Sequence, residues 1–144
     1  MTPLDIHPQL AKDCFYLGQL TSSAVLLHRN ASVPWFILVP DTSLADLLDL
    51  PQEHRDAVMA DCSLVSQFLK QVLGFDKVNF AGLGNVVPQM HLHVIARAAV
   101  DPCWPLPVWG NLEDEELYDL AQVLDWQKAL VAMGDMKAHP LEGL

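Results

Sequence analysis

Apolar positions cluster first in three short β-type runs, at residues 14–20, 23–28 and 35–39, parted by Thr21-Ser22 and by a polar loop ending in Pro34. An antiparallel meander is the simplest arrangement of these three. After Pro51 the period changes: Val58, Cys62, Val65, Leu69 and Val72 recur at helical spacing, which predicts a long amphipathic helix ending near Gly74, a natural left-handed cap. Ser43 followed three residues later by Asp46 resembles a helix-starting box. Residues 77–96 return to a β pattern, broken at Gly82-Leu83-Gly84-Asn85 by a turn between two strands. Farther on, Asn111 is placed to cap a last helix. Its acidic first turn at 113–116 suits the positive dipole end, and Leu117, Leu120, Ala121 and Leu124 share one face. Residues 101–110 hold too many prolines for regular structure and, with Trp104 and Trp109, must pack over a pocket mouth, a partner subunit or the sheet. The fold class expected is α+β: a five-stranded, mainly antiparallel sheet with the long helix on one face and a C-terminal helix. One domain over residues 1–144 is expected, with its core at about 14–97.

Composition narrows the function classes. The chain has 144 residues, and its 51% hydrophobic and 18% charged content excludes intrinsic disorder. Its longest apolar run, at 33–40, is eight residues, against the roughly 20 a membrane-spanning helix needs. No membrane partner is expected, and an opening without a basic lead and apolar run makes the cytoplasm the expected compartment. A net charge of -10 repels polyphosphate backbones, so a nucleic acid polymer is not the expected partner, although a small phosphate can still be held by local donors. Cys14, Cys62 and Cys103 lack any paired spacing and read as reduced, buried thiols.

The chemistry concentrates in the second strand of the 77–96 pair. Gln89, His91, His93 and Ile95 point to one face, and Met90, Leu92, Val94 and Ala96 to the other, toward the core. Side chains two apart on a strand sit about 6.6 Å from each other, so two imidazoles can meet neighbouring atoms of one small ligand. Three readings stand for such a His-x-His. The pair is structural; or it binds a transition metal with a third ligand from His7, His28, His54, His139 or a carboxylate; or it is a nucleophile and proton donor for phosphoryl or nucleotidyl transfer. His7, His28, His54 and His139 lack motif neighbours and receive no role of their own. Trp104 and Trp109 read as packing residues.

The stretch Gly84-Asn85-Val86-Val87-Pro88-Gln89-Met90-His91-Leu92-His93-Val94-Ile95-Ala96-Arg97 resembles the signature of the histidine-triad (HIT) superfamily, His-x-His-x-His followed by apolar residues. More narrowly, Pro34 to Pro40, Leu83 to Arg97 and the proline- and tryptophan-rich run resemble a bacterial subgroup in which glutamine commonly takes the first triad position, here Gln89. The resemblance implies a nucleotide hydrolase or transferase. Its middle histidine, here His91, attacks the α-phosphorus to give a covalent nucleotidyl-histidine. The last, here His93, contacts the phosphate and helps protonate the leaving group. It further implies phosphate contacts from Asn85 and Asn79, ribose contacts near Asn30, a base slot among Leu20, Leu26, Phe36 and Leu38, a homodimer, and no metal or cofactor. Gln89 keeps a hydrogen-bonding amide without a titrating proton, and Val86 stands where a hydroxyl residue is common. The rival readings are a nucleotide-binding module without catalysis and a metal site on the strand.

Overall fold

The computed structural model describes residues 4–141. A short helix α1 (Pro8–Asp13) leads into the meander β1 (Cys14–Gln19), β2 (Ser23–His28) and β3 (Trp35–Pro40). Then come the long helix α2 (Gln52–Gln67), the hairpin β4 (Lys77–Gly82) and β5 (Leu92–Arg97), helix α3 (Leu120–Met133) and a two-residue β6 (Lys137–Ala138). All pairings are antiparallel, in the order β4-β5-β3-β2-β1-β6. The sheet thus has six strands rather than the five expected: β6 adds a pair of residues against Gly18 and Gln19, too short to leave a pattern in the sequence.

The two faces of the sheet are both covered, which is why β3 is buried along its whole length instead of alternating. Phe36, Leu38, Leu92 and Val94 face α2 and α3, meeting Val58, Val65, Phe68 and Leu130 in the larger core. Trp35, Ile37 and Ile95 face the other way, under Leu10 of α1 and Cys103 and Val108 of the proline-rich segment. The predicted face assignment of Leu92, Val94 and Ala96 is the one observed.

Helix α2 starts after Pro51 rather than at Ser43; between them lies only a single 3-10 turn at Leu47–Asp49. The last turn widens into a π-helical stretch at Phe68–Val72, with Leu73 N–H bonded to the Phe68 carbonyl. That extra residue rotates Val72, the final member of the predicted stripe, out to solvent. Gly74, at φ +81°, then ends the helix as expected.

The last helix departs furthest from expectation. It begins at Leu120 with Asp119 as its cap, the Asp119 carboxylate accepting from Ala121 N–H, and its buried positions are Val123, Gln127 and Leu130. The acidic run 113–116 is irregular chain tied back to the β2–β3 loop. Ala31 N–H donates to the Glu116 carbonyl, and the Asn30 side chain accepts from Glu116 N–H while donating to the Asp114 carbonyl. Leu117 pairs there with Asn30 and is 92% exposed, not part of a buried helix face.

Candidate active site

Two imidazoles on adjacent positions of one face set the site. His91 precedes β5 by one residue, His93 lies on it opposite Ile37 of β3, and their ring centroids are 5.1 Å apart. Both line a cleft of about 490 Å³, together with Trp35, Ile37, Trp109 and the Gly84–Val87 loop, a size that suits a nucleotide-sized ligand. Both rings are largely buried.

Their hydrogen bonds fix complementary tautomers. His91 Nδ1 lies 2.8 Å from the backbone carbonyl of Gln89. A carbonyl only accepts, so Nδ1 carries the proton and Nε2 keeps a lone pair. Trp35 Nε1–H donates to His93 Nδ1 at 3.0 Å. An indole N–H only donates, so the neutral His93 ring carries its proton on Nε2. One ring nitrogen is a free nucleophile and the other a free donor.

Burial, with the positive charges that His91 and His28 would carry, pushes the His93 pKa down from 6.5 to about 4. His93 is therefore a neutral hydrogen-bond donor near pH 7 rather than a charged acid. The unfolded chain takes up this proton first. The contribution to stability is thus full above pH 6.5 and lost as pH falls toward 4, with about 3 kcal/mol gone when the loss is complete. Urea titrations of wild type and His93→Asn are expected to diverge in slope across that window, the variant being flatter; parallel curves would refute the assignment.

Around the pair the cleft is aromatic. His28 stacks on Trp35 at 4.4 Å and 12°, and Trp109 meets His93 edge-on at 4.9 Å. Trp109 thus puts the proline-rich segment at the pocket mouth, while Trp104 lies away from the cleft, over Arg97 at 5.6 Å. His28, Trp35 and Trp109 are site residues that carried no functional assignment in the sequence. The register shows why they meet: Leu27 pairs with Phe36, which sets His28 beside Trp35 across the hairpin. Helix α1, also unforeseen, supplies Gln9, Leu10 and Asp13 to the wall. Six residues with one buried leucine show no period.

Asn85 lies in the cleft wall, and Val86 at the mouth is 89% exposed. Gly84 takes φ +68° in this loop. Among the described residues, no N–H of Gly84, Asn85 or Val86 donates to another backbone group, so these donors are free for an anion. The remaining assignments part company with the cleft. Asn79 accepts from Arg97 Nη1 at 2.9 Å, and Asn30 spends its amide on the 114–116 segment and on Ser32 N–H. Neither lines the cleft. Gln89 directs its amide to the backbone of Asp5 and His7 instead of to either ring. Phe36, Leu38 and Leu20 belong to the core beneath α2, on the far side of the sheet, and Ile37 with Trp35 takes the place foreseen for them. Among the described residues no group of three His, Cys, Asp or Glu side chains is arranged to hold a metal, and no helix is long and apolar enough to cross a membrane.

The fold is shared with solved structures. A histidine triad protein from Bradyrhizobium japonicum is 37% identical, with a TM-score of 0.83 over 90% of this chain and 96% of its own. One from Marinobacter aquaeolei is also 37% identical, with a TM-score of 0.81 over 90% and 94%. A third, from Sinorhizobium meliloti, is 30% identical, with a TM-score of 0.82 over 89% and 95%. No curated protein matches the chain. The HIT domain family model matches residues 9–100, and with that span and those relatives the chain belongs to the HIT domain family.

Proposed function

We propose that the protein is a nucleotide hydrolase or transferase working through a nucleotidyl-His91 intermediate. The observation that carries this is the pair of opposed tautomers in one cleft, a bare Nε2 on His91 and an Nε2–H on His93. The His91 lone pair forms a bond to the α-phosphorus as the bond to the leaving group breaks, its electrons leaving with that group. His93 Nε2–H, Asn85 and the free N–H groups of the 84–86 loop hydrogen-bond the non-bridging oxygens. A neutral imidazole cannot surrender its only N–H proton near pH 7, so the leaving amine takes its proton from water. The imidazolium adduct keeps its Nδ1–H on the Gln89 carbonyl. Hydroxide or water then displaces His91 from phosphorus, which balances the proton and frees the nucleoside monophosphate.

Gln89 stands at the first triad position on this reading, and what His91 needs from that position is a backbone carbonyl, which any residue supplies. The substrate favoured is of modest charge, a nucleoside phosphoramidate or acyl-adenylate. Among the described residues no lysine or arginine lines the cleft, and Asp13 does, so a polyphosphate chain finds no counter-charge there. The test is single turnover with excess protein: adenosine phosphoramidate is expected to leave AMP covalently on His91, and to do so faster than a dinucleoside tetraphosphate at the same salt. Tight AMP binding with no adduct and no product would instead favour the binding-module reading. Metal bound stoichiometrically by untagged protein would favour the metal reading.

We also read the protein as a cytoplasmic homodimer. The edge strand β4 presents Phe80, with Leu83 and Leu48 nearby, as exposed apolar surface lining one groove. Sedimentation at twice the chain mass of 16.0 kDa is expected, and a monomer at micromolar concentration rejects it.

A further inference from the structure

Gln89, three residues before β5, keeps its side chain out of the cleft, and both ends of its amide are nonetheless bonded. Oε1 accepts from His7 N–H at 2.8 Å, and Nε2 donates to the Asp5 carbonyl at 2.8 Å. In extended chain the carbonyl of one residue and the N–H of the residue two further on project side by side from the same edge. A carboxamide, with donor and acceptor on one carbon, completes this pair as a neighbouring strand would. An imidazole has its two nitrogens on diverging vertices of a ring and satisfies only one of the two groups.

The segment held in this way leads straight into the cleft wall. His7 caps α1, its Nδ1 accepting from Gln9 N–H at 3.1 Å and its carbonyl from Ala11 N–H at 3.0 Å. Gln9, Leu10 and Asp13 then face the cavity. A six-residue helix has no stability of its own, so its position rests on its ties: buried Leu10, the Arg29 N–H bond to the Asp13 carbonyl, and the Gln89 clamp at its start.

We propose that Gln89 is a positioning residue: its side-chain amide straps residues 5–7 to the chain that leads into β5 and so fixes α1 as one wall of the nucleotide cleft. The proposal rests on the cleft being the nucleotide site, but its first measurement does not need turnover. Amide hydrogen exchange over residues 4–13 of the full chain is compared for wild type, Gln89→Met, which keeps length without an amide, and Gln89→Glu, which keeps only the acceptor. Protection at His7 and through α1 is expected to fall about tenfold or more in Gln89→Met, as for two lost hydrogen bonds, and to be intermediate in Gln89→Glu. With adenosine phosphoramidate, KM is expected to rise about tenfold in Gln89→Met while kcat moves less than threefold and the pH profile keeps its shape. Unchanged exchange in both variants overturns the strap. So does a fall in kcat with KM constant or a shifted pH profile, which would put Gln89 in the chemistry. If wild type shows no turnover at all, the enzymatic reading fails while the exchange result still decides the strap.

Discussion

Alanine at position 91 is expected to cut single-turnover cleavage of adenosine phosphoramidate by about 1,000-fold or more, roughly 4 kcal/mol of barrier. The size follows from what the side chain supplies. His91 Nδ1–H is held by the Gln89 carbonyl, so the ring is aimed and its tautomer chosen before substrate arrives, and water in its place is neither as nucleophilic nor as well positioned. Truncation leaves the Gln89 carbonyl beside an open cleft where solvent can satisfy it, so the fold is expected to survive with little change in thermal midpoint. His91→Gly with added imidazole separates nucleophile from scaffold: a free imidazole entering the vacated space is expected to restore part of the rate. Equal turnover by wild type and His91→Ala, or absence of rescue alongside an unaffected fold and normal AMP binding, would remove His91 from the reaction.

Much of this geometry is legible in the chain, because it depends on local periods. The strand-by-strand reading of 14–39, the long helix after Pro51 with its stop at Gly74, and the alternation that puts His91 and His93 opposite Leu92 and Val94 all follow from short-range spacing. What escaped depends on which segments pair with which. His28 reaches the site only because β2 and β3 align it with Trp35, and the acidic run 113–116 is drawn out of a helix by hydrogen bonds to Asn30 and Ala31, more than eighty residues away. Asn79 and Asn30 enter through the family resemblance, and a matched position says nothing about which neighbour claims an amide first: Arg97 takes one and the 114–116 backbone the other. The same limit hid the neutral state of His93, which follows from Trp35 and from burial rather than from the His-x-His itself.

Breaking the Arg97–Asp101 pair is expected to cost about 3–5 kcal/mol of stability, more than the loss of any other polar contact described above. Arg97 is only 2% exposed. Its Nε donates to Asp101 Oδ2 at 2.8 Å and Nη2 to Oδ1 at 3.2 Å, while Nη1 reaches Asn79 and Nη2 also reaches the Leu106 carbonyl at 2.8 Å. Burial alone would raise the Asp101 pKa. The bond from Arg97, the N–H groups of Ala98 and Cys103, and the Arg97 charge outweigh it and hold the group below its ordinary 3.8. The stabilisation is therefore complete above that value and lost on acidification through the folded-state pKa. Asp101→Ala strands a guanidinium in the interior, and Arg97→Met strands a carboxylate. Each is expected to lower the urea midpoint sharply, and the double variant Arg97→Met with Asp101→Leu to cost less than the sum, since no buried charge then remains uncompensated. The pair also closes the turn that starts the 101–110 segment and so carries Trp109 to the cleft. AMP affinity is accordingly expected to weaken in both single variants even under conditions where they stay folded. Single substitutions costing under about 1 kcal/mol, or strict additivity in the double, would show that the segment is held by its apolar contacts at Cys103 and Val108 instead.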